Sequence, residues 1–298
     1  MGETWQGEQG NRMTEPFTPL DRPTLVAQLR ALGIEGGEVL LVHTSFRAIR
    51  PITGGPDGLI DALLEALGPT GTLVMPSWPA SSDDPFDPSR TPVAPDLGTV
   101  AEHFRRRPET ARSPHPHAFA ACGPAAHEIL ADPLPIPPHC HESPVGRVFD
   151  LDGRVLLLGV DHDANTTIHL AEDLAGVPYG IPHSATLFDE SGAAHRFEFI
   201  EPDHCCRRFT HVGDWLGRAG LESEGPAGRG AAGRTGRGSV GSAGLESVAP
   251  VGHGVGRLSR SRDIVEVVTG HLADNPLHFL HPPDAGCAEC DEARAHIP

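Results

Sequence analysis

The stretch from Leu156 to Glu172 constrains the fold most, because an apolar strand, Leu156-Leu-Leu-Gly-Val, empties into a polar turn and then into a helix carrying His169 and Glu172. A buried strand feeding a helix through a short polar turn is the repeating unit of α/β proteins, whose ligands collect where the strands end. His169 and Glu172 stand three residues apart and share a helix face, with Asp173 close to that face. An imidazole held beside a carboxylate keeps a fixed tautomer and a raised basicity, which suits proton abstraction near neutral pH. Spacing alone also describes a half-buried surface salt-bridge cluster, so the rest of the chain has to decide.

Strand and helix patterns alternate through most of the sequence. Thr18-Pro-Leu-Asp-Arg-Pro opens a helix with Leu25, Leu29 and Leu32 on one side. Glu38-Val-Leu-Leu-Val-His-Thr and Thr72-Leu-Val-Met-Pro read as buried strands around an amphipathic helix from Gly58 to Leu67, a βαβ-like unit. Gly98 to Phe104 and Ala125 to Leu130 read as helices, and His117-Ala-Phe-Ala-Ala-Cys and Arg154-Val-Leu-Leu-Leu-Gly as strands. A hairpin is expected from Ala185-Thr-Leu-Phe through Asp189-Glu-Ser-Gly to Arg196-Phe-Glu-Phe-Ile. The expected fold class is α/β, with residues 17–223 and 257–298 forming one domain. Residues 1–16 are expected to be a loose tail. Residues 224–256, rich in Gly, Ala, Arg and Ser, are expected to be a flexible insertion; no aromatic residue lies among its arginines to stack a base. Order is expected to return at Leu258 and the helix Asp263 to Leu272.

Composition removes several function classes. The net charge of -17 comes from 40 acidic against 23 basic residues, and all 23 are arginine. Without lysine there is no Schiff-base chemistry and no Walker-type phosphate loop. An acidic surface repels nucleic acid and concentrates cations. No run of eighteen apolar residues exists and the N-terminus lacks a basic-then-apolar signal, so a cytoplasmic protein is expected. Six unevenly spaced cysteines are expected to be reduced thiols.

Two further polar segments follow or interrupt strands. His43-Thr-Ser-Phe-Arg with Thr53-Gly-Gly offers hydroxyls and backbone N–H groups ahead of a helix, suited to a phosphate or a carbonyl oxygen. Arg112-Ser-Pro-His-Pro-His offers Ser113, His115 and His117 on one face if the piece is extended. Two metal readings also stand. Cys287-x-x-Cys290 beside His281, with Cys205-Cys206 and His204, makes a structural zinc site if the segments meet, and Asp161-His-Asp163 with His115-x-His117 makes a catalytic centre for an amidohydrolase or deacetylase.

Taken together and in order, six stretches resemble the aminoglycoside 3-N-acetyltransferases, the antibiotic N-acetyltransferase family. They are Leu41-Val-His-Thr-Ser-Phe with Gly54-Gly55, Gly71-Thr-Leu-Val-Met-Pro, Arg112-Ser-Pro-His-Pro, Ser143-Pro-Val-Gly, Arg154-Val-Leu-Leu-Leu-Gly, and Asn165-Thr-Thr-Ile-His-Leu-Ala-Glu. The resemblance runs from about residue 20 to 220 and resumes near Gly256.

It implies a mixed central sheet flanked by helices, distinct from the GNAT fold, with acetyl-CoA as cosubstrate and a cationic aminoglycoside acetylated on the 3-amino group of its 2-deoxystreptamine ring. His169 matches the family's general base, with Glu172 and Asp163 as carboxylate support. His43, Thr44, Ser45, Gly55, Ser113 and His115 match the coenzyme A segments. Asp161, Asp173, Asp203 and Asp214 are the further acidic candidates for the cationic acceptor. No metal is expected, composition speaks against nucleic acid and membrane partners, and the resemblance implies that transfer is direct, without a covalent acyl-enzyme. One residue is missing after His115-Pro116 relative to the family pattern, where no serine stands before Phe119.

Overall fold

The structure is a computed structural model that describes residues 18–81, 84–131, 137–188, 191–223 and 244–298. In chain order the helices are α1 (Arg22–Leu32), α2 (Phe46–Ile49), α3 (Gly55–Leu67), α4 (Gly98–Arg105), α5 (Ala126–Ile129), α6 (Pro144–Asp150), α7 (Thr167–Ala175), α8 (His211–Ser223), α9 (Ser261–Asp274) and α10 (Ala288–Ala295). The strands are β1 (Val39–Thr44), β2 (Thr72–Pro76), β3 (Ala111–Arg112), β4 (Phe119–Cys122), β5 (Arg154–Leu158), β6 (Ile181–Phe188), β7 (Ala194–Glu201), β8 (Glu246–Val251) and β9 (Gly254–Arg260).

Seven strands make one mixed sheet in the order β3-β4-β2-β1-β5-β9-β8. β1 pairs in parallel with β2 and β5, and the outer strands pair antiparallel. The three parallel strands are nearly continuous apolar runs because helices cover both of their faces. Leu40, Val42, Leu73, Met75, Leu156 and Leu158 face α1, α3 and α4. Leu41, Val74, Val155 and Leu157 point the other way, into a core shared with α6, α7, α8 and α9. The result is a three-layer α/β/α arrangement with period-2 alternation feeding two separate cores.

Local sequence chemistry sets the helix boundaries. The Asp21 carboxylate accepts from Thr24 N at 2.9 Å to cap α1, with Pro23 in its first turn. The βαβ unit forms as expected, with α3 as the crossover between β1 and β2. It needs Gly58, where a Cβ would lie 2.0 Å from the Thr53 carbonyl oxygen. α7 stops at Gly176, which takes left-handed dihedrals. The expected hairpin is β6–β7, a separate two-stranded sheet, though its residues 189 and 190 lie outside the described residues.

Two expectations need correction. Residues 246–256, placed in the flexible insertion, are mostly strand: β8 and β9 form a hairpin that joins the main sheet beside β5. Its tight turn at Gly252 (φ 64°) and the edge position of β8, which tolerates Pro250, explain how a Gly- and Pro-bearing stretch still makes a ladder. Residues 1–17 and 224–243, which carry the expected tail and the Gly/Arg-rich part of the insertion, lie outside the described residues. Second, Ser113, His115 and His117 do not line one face of a strand, because β3 ends at Arg112. Pro114 and Pro116 remove two ladder donors, and the chain turns instead: Ser113 Oγ accepts from Phe119 N, and His115 Nδ1 accepts from His117 N.

Candidate active site

The C-terminal ends of β1, β2 and β5 open on one cavity of about 320 Å³. Its wall takes His43 and Thr44 from the end of β1, Trp78 after β2, and Asp163 to Thr166 from the turn after β5. His169, Cys206 and Phe209 close another side, and Asp96 and His139 complete it.

His169 sits on the first turns of α7, where the turn after β5 aims it. That turn is held from behind: His162, buried, bonds Glu246 on β8 through Nε2 at 2.9 Å, and Asn165 Nδ2 donates to His162 Nδ1 at 3.2 Å. Asn165 Oδ1 then accepts from Thr167 N at the start of α7. A chain of buried side chains therefore runs from an edge strand to the helix that carries His169.

The expected His169–Glu172 pair forms, with Nδ1 2.8 Å from Glu172 Oε2. Glu172 is fully buried and takes two more partners on Oε1, the Tyr179 hydroxyl at 2.6 Å and His204 Nε2 at 2.8 Å. His204 Nδ1 accepts from Cys206 N, so its proton is on Nε2 and points at the carboxylate. Burial works to raise the Glu172 pKa, but His204 and His169 outweigh it and hold the carboxyl at about 2. Burial likewise opposes charge on His169, yet the Cys206 sulfur and Glu172 raise its pKa well above the ordinary imidazole value. With Nδ1 engaged by Glu172, Nε2 is the nitrogen left for the cavity; the Cys206 sulfur stands 3.4 Å from it. His139 stacks on His169, ring centroids 5.2 Å apart, and burial pushes His139 and His43 down to about 3, so both are neutral near pH 7.

The remaining sequence candidates divide. His43 and Thr44 line the cavity, His43 Nε2 lying 3.3 Å from Thr166 Oγ1. Ser45 stands at the N-cap of α2, Gly55 begins α3, and Ser113 and His115 are buried in the turn before β4; none of the four lines the cavity. Asp163 lines it as an exposed wall residue, and no hydrogen bond or ion pair joins it to His169, so Glu172 alone supports the imidazole. Asp161 caps the turn and pairs with Arg257 at 3.5 Å. Asp203 pairs with His183 at 3.2 Å, Asp173 is half-buried on α7, and Asp214 is exposed on α8. None of these four lines the cavity.

The hydrolase ligand set does not assemble. His162 is committed to Glu246 and Asn165, Asp161 to Arg257, and these residues form no metal-ligating group with His115 or His117 among the described residues. Sequence reading missed Asp96, Trp78, His139 and Tyr179, and treated His204 only as a metal ligand. The signal for His204 was the run Glu201-Pro-Asp-His-Cys-Cys, chemically dense just after a strand.

A mixed sheet between two helix layers thus presents, at its parallel strand ends, a histidine–carboxylate pair beside a cavity, the arrangement of an α/β enzyme site. A sequence profile described as aminoglycoside 3-N-acetyltransferase matches residues 41–233. The chain is 52% identical over 262 residues to the aminoglycoside N(3)-acetyltransferase IV of Salmonella sp, covering 88% of this chain and 91% of that one. Its structure superposes on the aminoglycoside acetyltransferase AAC(3)-IVa apoenzyme with a TM-score of 0.83 at 51% identity, over 94% of this chain and 98% of that one. A histidine-to-alanine variant of AAC(3)-IVa in complex with a gentamicin superposes equally well, with a TM-score of 0.83 at 50% identity over 94% and 99% of the two chains. AAC-IIIb in a binary complex with CoASH shares the fold, with a TM-score of 0.71 at 23% identity over 86% and 97%. The chain belongs to the aminoglycoside 3-N-acetyltransferase family and is an acyltransferase. No helix among the described residues is long and apolar enough to cross a membrane.

Proposed function

We propose that this chain moves the acetyl group of acetyl-CoA directly to the 3-amino group of the 2-deoxystreptamine ring of an aminoglycoside, with His169 as general base. The observation that carries the reading is the His169–Glu172 dyad opening onto the cavity at the strand ends. In the reaction the amine attacks the thioester carbonyl, His169 Nε2 takes the ammonium proton of the tetrahedral intermediate, and the CoA thiolate leaves. General-base help of this kind is worth about 10² to 10⁴ in rate, so the alignment of donor and acceptor supplies much of the rest.

The acceptor is a polycation, and two exposed carboxylates, Asp96 and Asp163, stand on the cavity wall to meet it. His43 and Thr44, which line the cavity at the end of β1, are assigned to the donor on this reading. The ligands of relatives agree in kind, a gentamicin for AAC(3)-IVa and CoASH for AAC-IIIb. Release of CoA thiol from acetyl-CoA and gentamicin by the purified chain tests the reading. Absence of release together with metal-dependent amide hydrolysis would overturn it.

The Cys206 sulfur beside His169 Nε2 supports a second reading, in which the thiolate takes the acetyl group first and passes it to the amine. Direct transfer is preferred, because the His204 carbonyl oxygen, 3.2 Å from the Cys206 sulfur, offers its S–H an acceptor that competes with His169 Nε2 at 3.4 Å.

A further inference from the structure

Three thiols that acetyl transfer does not use meet at one place. Cys287 stands at the N-cap of α10 and Cys290 one turn further on, while Cys205 arrives from the loop after β7. Their sulfurs all lie within 4.8 Å of one another, with Cys205 and Cys290 3.6 Å apart. A tetrahedral zinc site with Zn–S bonds of about 2.3 Å has sulfur–sulfur edges of about 3.8 Å. The three side chains are thus already at the spacing a shared ion requires.

Packing alone does not ask for thiols here. Cys290 is fully buried beside Tyr179, Leu280 and Ala293, with Cys205 and Cys287 on the flank of that cluster. A small apolar cluster is ordinarily closed by aliphatic side chains, and an odd number of converging sulfurs cannot be satisfied by one disulfide. The Cys-x-x-Cys pair also straddles the first turn of a helix, where free N–H groups favour thiolates.

We propose that Cys205, Cys287 and Cys290 bind a structural zinc ion that ties α10 to the loop carrying His204 and Cys206. Binding releases the three thiol protons to solvent and leaves one tetrahedral position, which falls to water; His281, placed with these cysteines by sequence, does not join their group. The ion's role is mechanical. Cys205 lies between the histidine that holds Glu172 and the cysteine beside His169, so anchoring it fixes both neighbours. The nearby group of His169, Glu172 and His204 is not a rival, since three side chains already hydrogen-bond the two Glu172 oxygens.

The test uses the full chain, purified reduced and without chelator from zinc-supplemented cultures, with metal content measured by mass spectrometry. About one zinc per chain is expected, and at least about tenfold less in Cys287→Ser and Cys205→Ser. Cys287 is partly exposed, so its serine variant should keep the circular dichroism of the parent while melting at a lower temperature. Cobalt substitution should give a thiolate-to-metal charge-transfer band in the parent and lose it in both variants. Less than about a tenth of a zinc per chain, or zinc retained by both variants, would overturn the site. So would a Cys205–Cys290 disulfide in peptide maps of the unreduced protein.

Discussion

Glu172→Gln should abolish most turnover without unfolding the chain, and the reason is a count of donors. Tyr179 OH and His204 Nε2 donate to one carboxylate oxygen, and His169 Nδ1 donates to the other. His204 cannot reverse its tautomer at no cost, because its Nδ1 already accepts from Cys206 N. A glutamine offers a single oxygen. If it faces Tyr179 and His204, the amide NH₂ faces His169 Nδ1, which must then accept; the proton moves to Nε2, where the reaction needs a lone pair. If the amide is turned round, two buried donors lose their acceptor, at about 1–3 kcal/mol each. The first orientation therefore wins and leaves His169 in the wrong tautomer. The same error in a Ser-His-Asp triad, a worked case from other enzymes, lowers kcat by about 10⁴, or about 5 kcal/mol. A loss of kcat by three to four orders of magnitude is expected here, read by thiol release at saturating substrates. Hydrogen bonds to a charged partner are worth about 1.5–3 kcal/mol each, so a lower melting temperature is expected as well. A folded Glu172→Gln variant with kcat within about tenfold of the parent would show that His169 Nε2 is not the proton acceptor.

Other perturbations follow from the same geometry. His169→Ala should remove turnover while coenzyme A still binds by calorimetry; retained activity would refute the base assignment. Cys206→Ala should keep kcat within about tenfold under direct transfer, and an acetyl adduct on Cys206 in the parent, caught by mass spectrometry, would favour the covalent route. Since the His169 pKa is raised, kcat/KM should fall on the acid side of a pH above 6.5; a limb centred below 6.5 counts against the combined effect of the Cys206 sulfur and Glu172 on the imidazole. Stability should respond to acid in a defined window. His43 and His139 sit at about 3 when folded against about 6.5 unfolded, so the stability they contribute is present above pH 6.5 and is lost as pH falls toward 3. Glu172, at about 2 against 4.5, adds a loss that begins near pH 4.5. A melting temperature unchanged from pH 7 to 4.5 would contradict the buried neutral histidines. Glu246→Ala leaves the buried His162 Nε2 without its partner while Arg257 keeps Asp161, and should cost about 1–3 kcal/mol in chemical denaturation.

The parts of the fold legible in sequence were those that carry their own periodicity. β1, β2 and β5 are uninterrupted apolar runs, α3 and α9 have one buried stripe, and the His169–Glu172 pair is local to one helix turn. What stayed hidden depends on distance along the chain. His204 reaches Glu172 only because the hairpin β6–β7 returns the chain, and nothing at residue 204 announces a carboxylate 32 residues earlier. β8 was hidden because its composition is that of a loop, and it becomes a strand by borrowing a ladder from β9. Asp161 looked like a ligand for a cation and turned out to be a cap paired with Arg257, since spacing cannot show which neighbour a carboxylate has already taken.

On the proposed mechanism, the charge pattern of the cavity accounts for the histidines around His169. A polycationic acceptor is repelled by any imidazolium on the wall, and two rings on that wall, His43 and His139, are kept neutral by burial. Glu201 lies 3.5 Å from His139 Nδ1 without offsetting its burial, whereas the Cys206 sulfur and Glu172 raise the His169 pKa, so on the proposed mechanism the wall histidine that best holds a proton is the one that would take it from the reacting amine. The mouth meanwhile keeps Asp96 and Asp163 exposed, where attraction acts at a distance and weakens with salt. Asp163→Asn should therefore raise the KM for an aminoglycoside by about two- to fivefold at low salt and leave kcat nearly unchanged. An equal fall in kcat would mean that Asp163 acts on the transition state, and would return to it the supporting role that the geometry gives to Glu172 alone.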